Sequence, residues 1–425
     1  MQKAGTREKI SDPLCNCLAE PRTATPIDQL NHVVEVDVHY DTHLRLSTAG
    51  WTLEELLRQG KRFLPVKRFP LKSAKKTIIN FDETGVPCII YDLHRHANWP
   101  EHYFQASWLK KHGPKEISVR NVYNLADRTM LLDDFIEQSR RTASKSASLK
   151  DKESLYSKDV KCPELWEGQL REAELIPSFL LPGDDEDLLP PQHVDTFKCH
   201  IGIGDTFTRC HQDLCASSGH DLMCYTEGNG SSFWFMTQGK DAPKALRYLE
   251  DLKRENGHED HALTVQQLAK APFTIYVAEQ KLGDLVLIPP RSCHQVVNFG
   301  GLTIKTSWSR MVMKGLEAAY YHELPMYRRV CWPEKYRVKS LIYLNLLKRR
   351  EALASLTSKS KDQASVMLQK NKQLLRSTEQ LLKLFGSVLL EESPPRNRQL
   401  LAVYNQVTES LSRLKANQIL EYDNS

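Results

Sequence analysis

A series of short apolar segments between residues 193 and 310 constrains the fold of this chain most strongly. Eight strand-like segments follow one another there, separated by Gly, Asp and Pro residues that favour turns. They are FKCHIGIG, DTFTRCHQ, DLMCYT, SSFWFM, FTIYVA, DLVLIP, HQVVNF and LTIKTSW. Many short strands with turn residues between them are typical of a β-sandwich or β-barrel. An insertion at residues 239–272 interrupts the series, and its stretch APKALRYLEDLKRE predicts a helix.

The pattern differs on either side of this β region. Residues 1–30 are rich in Pro and Thr without periodicity, which predicts a disordered tail. Residues 31–175 mix helical and strand-like segments and are predicted to be an α/β region that precedes and supports the barrel at 176–313. Within it, aromatic positions on one face predict a helix from Trp99 to His112. Residues 314–425 have helical periodicity throughout. The predicted fold class is therefore a mainly β core with α additions, followed by a C-terminal helical region.

Composition narrows the class of protein. Hydrophobic residues make up 40% of the 425 residues and charged residues 26%, which allows a sizeable core. No apolar run reaches the roughly 18 residues of a membrane span, and the first residues show no apolar signal segment. The ten cysteines are scattered without a CxxC pair, which favours reduced thiols over a zinc finger. We therefore expect an intracellular protein.

Two short motifs contain the residue types of a transition-metal site. His211 and Asp213 lie in GDTFTRCHQDLCASS, and residues two apart in a strand point to the same face. His294 lies in GDLVLIPPRSCHQVVN, where a strand begins after a Pro-containing turn. Two imidazoles and one carboxylate form the facial triad that binds non-haem Fe(II) and leaves coordination positions open. His211, Asp213 and His294 are therefore the predicted metal ligands and catalytic residues.

A second HxD pair lies eighteen residues earlier, at His193 and Asp195. It follows LLPPQ at the edge of a loop, and no Gly-containing turn and strand precede it. We interpret it as unrelated to the metal site.

The sequence around the predicted ligands resembles the JmjC family, the cupin-type 2-oxoglutarate oxygenases that include histone lysine demethylases and protein hydroxylases. Four stretches carry the resemblance, which covers about residues 80–345: GDTFTRCHQD, SSFWFM, GDLVLIPPRSCHQVVNFG and LYSKDVKCPELW. The last is similar to a segment that precedes the barrel in chromatin-type members. The resemblance implies a double-stranded β-helix, a cupin-like or jelly-roll barrel with the metal inside its mouth.

The resemblance also implies cofactors and a reaction. Fe(II) would be the metal and 2-oxoglutarate the cosubstrate, whose decarboxylation to succinate is coupled to hydroxylation of a C–H bond. On an N-methyl group, the hydroxylated product collapses to formaldehyde and the demethylated amine. The expected activity is that of an Fe(II)/2-oxoglutarate-dependent dioxygenase that demethylates histone lysine. A protein hydroxylase of the same chemistry and a non-catalytic JmjC chromatin-binding scaffold are the alternatives.

This chain departs from the family at the residue that supplies a cation for the far carboxylate of 2-oxoglutarate. Many members place a Lys in a G-x-K-x-F/W strand after the HxD motif, but here EGNGSSFWF puts Ser231 at that position. Lys305 in LTIKTSW is the predicted replacement, because other 2-oxoglutarate oxygenases carry the basic residue on the last barrel strand. Thr208 resembles a hydroxyl that helps to bind the same carboxylate. Lys305 and Thr208 are the predicted cosubstrate contacts.

Partners follow from the resemblance and from charge. A histone tail or another protein substrate is implied, and residence in the nucleus with it. Residues 328–376 contain 13 Lys and Arg against 3 Asp and Glu, which favours contact of the C-terminal helices with nucleic acid or chromatin. A solvated helical bundle packed on the barrel explains the same composition, so both interpretations stay open. No membrane partner is expected.

Overall fold

The computed structural model describes residues 46–144, 154–172, 174–184, 187–189, 197–256, 262–357, 372–392 and 394–422. The predicted tail at 1–30 and the pair His193 and Asp195 lie outside these residues. The chain divides into two compact units. We call Asp41–Ala319 the β unit, and the described residues of Tyr320–Ser425 the helical unit.

Fourteen strands of the described residues belong to the β unit, in two sheets. They are β1 (Phe63–Pro65), β2 (Lys67–Pro70), β3 (Cys88–Tyr91), β4 (Glu116–Asn121), β5 (Asp127–Leu131), β6 (Leu155–Lys161), β7 (Lys198–Gly202), β8 (Phe207–His211), β9 (Ser218–Thr226), β10 (Ser231–Met236), β11 (Ile275–Gln280), β12 (Leu285–Ile288), β13 (His294–Phe299) and β14 (Thr303–Arg310). The smaller sheet has the order β1-β11-β10-β13-β8, and the larger one β2-β3-β12-β9-β14-β7-β6-β4-β5.

The eight predicted strand segments coincide with β7 to β14. Strands β8, β10, β11 and β13 belong to the smaller sheet, and β7, β9, β12 and β14 to the larger one. The predicted fold class, a mainly β core with added helices and a C-terminal helical region, is confirmed in this form.

The described helices of the β unit precede, interrupt and follow the strand series. They are α1 (Leu53–Gln59), α2 (Ala74–Thr84), α3 (Ala106–His112), α4 (Leu132–Ser144), α5 (Glu164–Glu172), α6 (Ala242–Asn256), α7 (Val265–Ala269) and α8 (Met313–Ala318). The predicted insertion thus contains two helices, α6 and α7. The second begins with a capping box, in which Thr264 and Gln267 satisfy each other's backbone N–H groups.

The helical unit contains α9 (Leu324–Arg329), α10 (Val338–Thr357), α11 (Lys372–Glu391) and α12 (Pro394–Tyr422). Helices α10, α11 and α12 pack on one another through apolar residues such as Leu346, Phe385 and Val407. In the part of the chain that the structure describes, no helix combines the length and the apolar character needed to span a bilayer.

One local prediction from the aromatic pattern was wrong. A helix was expected from Trp99 to His112, but α3 begins only at Ala106. Pro100 disfavours the helical conformation at Trp99, and the chain up to Gln105 forms turns instead. The aromatic residues of this segment are still buried, because Phe104 packs against Trp99 and Trp166.

Strand β10 shows how both faces of the smaller sheet are covered. All six of its residues are buried. Phe233 and Phe235 point to one face, where Trp51 meets both rings edge-on at centroid distances of 5.6 and 6.0 Å. Trp234 and Met236 point to the other face, toward a cluster that includes Val286 of the larger sheet. The space between the two sheets is therefore lined by alternate residues of β10.

Truncating Phe235 should destabilise the β unit strongly. Its side chain is 2% exposed and contacts Trp51 and Phe63 edge-on. We expect Phe235→Ala to lower the free energy of unfolding by about 3–5 kcal/mol, as large-to-small core substitutions do. Urea denaturation measures this, with Ile79→Ala as the control, since Ile79 is 54% exposed on α2. Equal midpoints for the two variants would contradict the packing described.

Candidate metal centre

Two neighbouring strands of the smaller sheet bring the predicted ligands together. His211 ends β8 and His294 begins β13, and these strands pair antiparallel with His211 directly opposite His294. The two imidazole rings lie 4.3 Å apart between centroids. One ligand atom from each of His211, Asp213 and His294 lies within 4.8 Å of the other two. This is close enough for a single metal ion to bind all three.

The backbone orients both imidazoles in the same way. Nδ1 of His211 lies 2.8 Å from the carbonyl oxygen of Arg209, and Nδ1 of His294 lies 3.1 Å from that of Ser292. When each Nδ1–H donates to its carbonyl, the Nε2 lone pair is left for a metal. Burial, and then the neighbouring His294, lowers the pKa of His211 well below its ordinary value. The imidazole of His211 is therefore neutral, as a ligand must be.

Asp213 reaches the site from just beyond the strand. The prediction that it shares a strand with His211 was wrong, because β8 ends at His211 and Asp213 precedes a short 3-10 turn, Leu214–Ala216. Its backbone is nevertheless extended, with φ −66° and ψ 149°. Its Oδ1 lies 3.9 Å from Nε2 of His294.

The second carboxylate oxygen of Asp213 tests whether a metal fits. Oδ2 is buried and has no hydrogen-bond partner among the described residues. A buried carboxylate oxygen without a partner is costly, and a divalent cation would remove that cost. Two imidazoles and one carboxylate are also a donor set that Fe(II) accepts. The residues present therefore fit the expected iron.

A β-bulge places Thr208 on the same side as His211. Thr208 pairs with Val296 and His211 with His294, so three steps along β8 match two along β13. The extra residue lets side chains three positions apart share a face, which regular alternation would forbid. The hydroxyl of Thr208 lies 3.4 Å from that of Tyr156 on β6.

Lys305 points inward from β14 and is almost fully buried, with 1% of its surface exposed. Its Nζ donates to Oγ of Ser232 at 3.2 Å and to Oδ1 of Asn298 at 3.1 Å. The described residues give it no carboxylate within ion-pair distance. Burial lowers the pKa of Lys305, and the more distant charge of Asp221 opposes that shift.

Trp234 connects the lysine with the metal ligands. Nζ of Lys305 lies 5.8 Å from the centroid of the Trp234 rings, and those rings stack on His294 at 6.1 Å. The ammonium group and the ligand set therefore lie in the same space between the sheets, each beside the same indole. Trp234 is buried and lines this space.

Two further residues of this space were not among the predicted contacts. Asn298 holds Lys305, accepts a hydrogen bond from Ser232 at 2.8 Å and donates to Thr206 at 2.9 Å. Asn298 lies four residues after His294 in β13, and residues an even number apart in a strand point to the same face. Tyr156 belongs to the LYSKD stretch, but its contact with Thr208 depends on sheet pairing that no spacing reveals.

Comparison with known proteins assigns the domain. Residues 198–309 match the family model described as JmjC domain, hydroxylase. The chain carries a JmjC domain. It contains all five predicted site residues: Thr208, His211, Asp213, His294 and Lys305.

One curated relative is similar to part of this chain. The match to C-module-binding factor A of Dictyostelium discoideum is 34% identical over 201 residues. Those residues make up 46% of this chain and 20% of that relative. The chain thus spans only about a fifth of the length of the protein it matches.

Gly219 keeps the space that Asp213 occupies. A Cβ added at Gly219 would lie 2.4 Å from Oδ2 of Asp213, so a side chain must displace that carboxylate. We expect Gly219→Ala to weaken binding of Fe(II), or of Co(II) as a spectroscopic substitute, by about 10- to 100-fold, as disturbed ligand orientation does. Gly386→Ala is the control, because nothing lies within 4 Å of the added carbon. Unchanged Co(II) affinity in Gly219→Ala would argue against Asp213 as a ligand.

Proposed function

We propose that this chain is an Fe(II)- and 2-oxoglutarate-dependent dioxygenase that acts on a protein, with N-methyl-lysine of a histone tail as its substrate. One observation carries the cosubstrate assignment: a buried ammonium without a carboxylate partner shares a space with a complete facial triad. Burying an unpaired charge is costly, so such an ammonium needs an anion. A dicarboxylate that reaches from the metal to Lys305 supplies one.

Each predicted residue then has a role in binding. His211, Asp213 and His294 would hold Fe(II), and Lys305 with Thr208 would hold the far carboxylate of 2-oxoglutarate. Bound iron and 2-oxoglutarate would activate dioxygen, and dioxygen would be the oxidant both for decarboxylation of 2-oxoglutarate to succinate and for hydroxylation of a C–H bond. Asn298 and Ser232 position the ammonium, and Trp234 keeps water away from His294. The protein thus provides orientation and a dry cavity.

The position of Lys305 favours an enzyme over the scaffold alternative. Ser231 stands where many JmjC proteins have their cosubstrate lysine, on β10. The ammonium of Lys305 reaches the adjacent Ser232 from β14 across the space between the sheets. Lys305 therefore supplies a cation to the same part of the fold, but from β14 and not from β10. This supports the proposal that the chain binds 2-oxoglutarate.

The histone substrate and nuclear residence are proposed from the resemblance to chromatin-type JmjC proteins. Contact through the basic C-terminal helices belongs to the same proposal. Part of that charge is used within the helical unit, because Arg328 pairs with Glu391 and Lys339 with Glu391 and Glu392.

Anaerobic titration of the Fe(II)-loaded protein with 2-oxoglutarate tests the cosubstrate site. A weak visible charge-transfer band should appear for the wild type and be absent in His211→Ala. Lys305→Met keeps the length of the side chain but removes its charge, so we expect at least a tenfold higher 2-oxoglutarate requirement, about 1.4 kcal/mol, with iron still bound. No band at millimolar 2-oxoglutarate in the wild type would refute the enzyme proposal and favour the scaffold.

Methylated histone peptides test the substrate. We expect formaldehyde in amounts equal to the succinate formed above the uncoupled background, and loss of 14 mass units per methyl group removed. His211→Ala, incubated with the same iron and 2-oxoglutarate, is the control. A stable product 16 mass units heavier, without formaldehyde, would identify a hydroxylase of the same chemistry. Succinate that no histone peptide stimulates would argue against a histone substrate.

A further inference from the structure

An uninterrupted basic segment lies outside the JmjC domain, on the β unit. Residues 56–81 contain eight Lys and Arg residues and no Asp or Glu. The segment runs through β1 and β2 into α2, and all eight basic side chains are exposed. Basic residues therefore stand alone over these 26 residues, whereas the whole chain has nearly equal numbers, 58 basic and 53 acidic. The segment is therefore a local concentration of positive charge.

Three of the eight basic side chains interact within the fold. Arg58 pairs with Glu54 and Glu55, Arg68 pairs with Asp284, and Arg62 donates to the carbonyl oxygen of Pro272. The other five have no acidic partner among the residues that the structure describes, and we call them the lysine strip. They are Lys61, Lys67, Lys72, Lys75 and Lys76. Their charge is available to an external anion.

The start of helix α2 carries three of these lysines where they do not help the helix. Lys75 and Lys76 lie in its first turn, and Lys72 lies in the 3-10 turn Leu71–Ser73 just before it. All three are exposed, while Ala74 is buried. The first turn contains no acidic residue. Positive charge at this end opposes the helix dipole, which favours anions there. Helix stability therefore does not explain the three lysines.

Protection of sheet edges explains only part of the strip. Strand β1 is an edge of the smaller sheet and β2 an edge of the larger sheet. Lysines on or beside edge strands discourage pairing with other chains, which accounts for Lys67 on β2 and for Lys61 just before β1. It does not account for the lysines at the start of α2, which is not an edge strand. A binding role explains both groups.

We propose that the lysine strip binds the phosphate backbone of double-stranded nucleic acid. Lysines are flexible point charges that neutralise phosphates without reading sequence. The aromatic residues within the strip, Phe63 and Phe69, are buried and half-buried, so they offer no exposed platform for unstacked bases of a single strand. Strand β8, which carries His211, is the opposite edge of the smaller sheet from β1. The strip is therefore a surface separate from the metal centre.

The test measures binding of a fluorescent duplex of arbitrary sequence by anisotropy over a range of salt concentrations. The variant Lys72→Gln/Lys75→Gln/Lys76→Gln is compared with Lys111→Gln/Lys115→Gln/Lys270→Gln, which removes three exposed lysines elsewhere on the same unit. In the first variant, the slope of log affinity against log salt should become shallower by about 2–3, because each phosphate contact contributes about 0.9. The control variant should keep the wild-type slope.

Two outcomes would overturn the proposal. One is that the wild type and the variant Lys72→Gln/Lys75→Gln/Lys76→Gln show equal slopes and equal affinities, while circular dichroism shows that both are folded. Another is no duplex binding by the wild type, with binding instead to an acidic peptide or to anionic vesicles. The measurement needs neither iron nor 2-oxoglutarate, so its result is independent of whether the chain proves to be an oxygenase.

Discussion

The pairing of β8 with β13 is the interaction on which the candidate metal centre depends. It sets His211 opposite His294, and the bulge in β8 then brings Thr208 round to the same side. A shift of one residue in this pairing would send the side chains of one strand to the opposite face. The pairing is held by the packing of both strands, since Val297 and Phe207 are buried on the face away from the site. The core thus specifies the geometry of the ligands.

Burial of Lys305 is the second constraint, and it acts against stability. An ammonium in the space between the sheets loses its hydration, and the two neutral oxygens of Ser232 and Asn298 replace only part of it. Asn298 is itself held by Thr206 and Ser232, so the position of the ammonium is defined before any anion binds. Groups that are already ordered before the ligand binds are typical of binding sites, because binding then loses little side-chain entropy. The same space contains the unpartnered Oδ2 of Asp213, at the metal end.

Spacing and residue type predicted much of the fold and the ligand set. Eight strands were recognisable because apolar segments alternate with Gly, Asp and Pro, and these features act locally. The ligands were recognisable because two His and one Asp stand beside turn motifs. Two details failed for local reasons: Asp213 lies beyond the end of β8, and Pro100 delays the start of α3. In both cases the regular element is shorter than side-chain periodicity indicated, since β8 ends earlier and α3 begins later.

By itself, then, the sequence determined the β-rich core, the types of the metal ligands and the presence of a spare lysine near the end of the strand series. Only the tertiary structure decided which residues share the space between the sheets. Tyr156, Trp234 and Asn298 meet Thr208, His294 and Lys305 across strand pairs that join distant parts of the chain. It also decided which charges find partners, and the lysine strip has no acidic partner among the residues that the structure describes. Contacts of this kind depend on strand order and register, and these are set by the packing of both sheets together, not by any local run of residues.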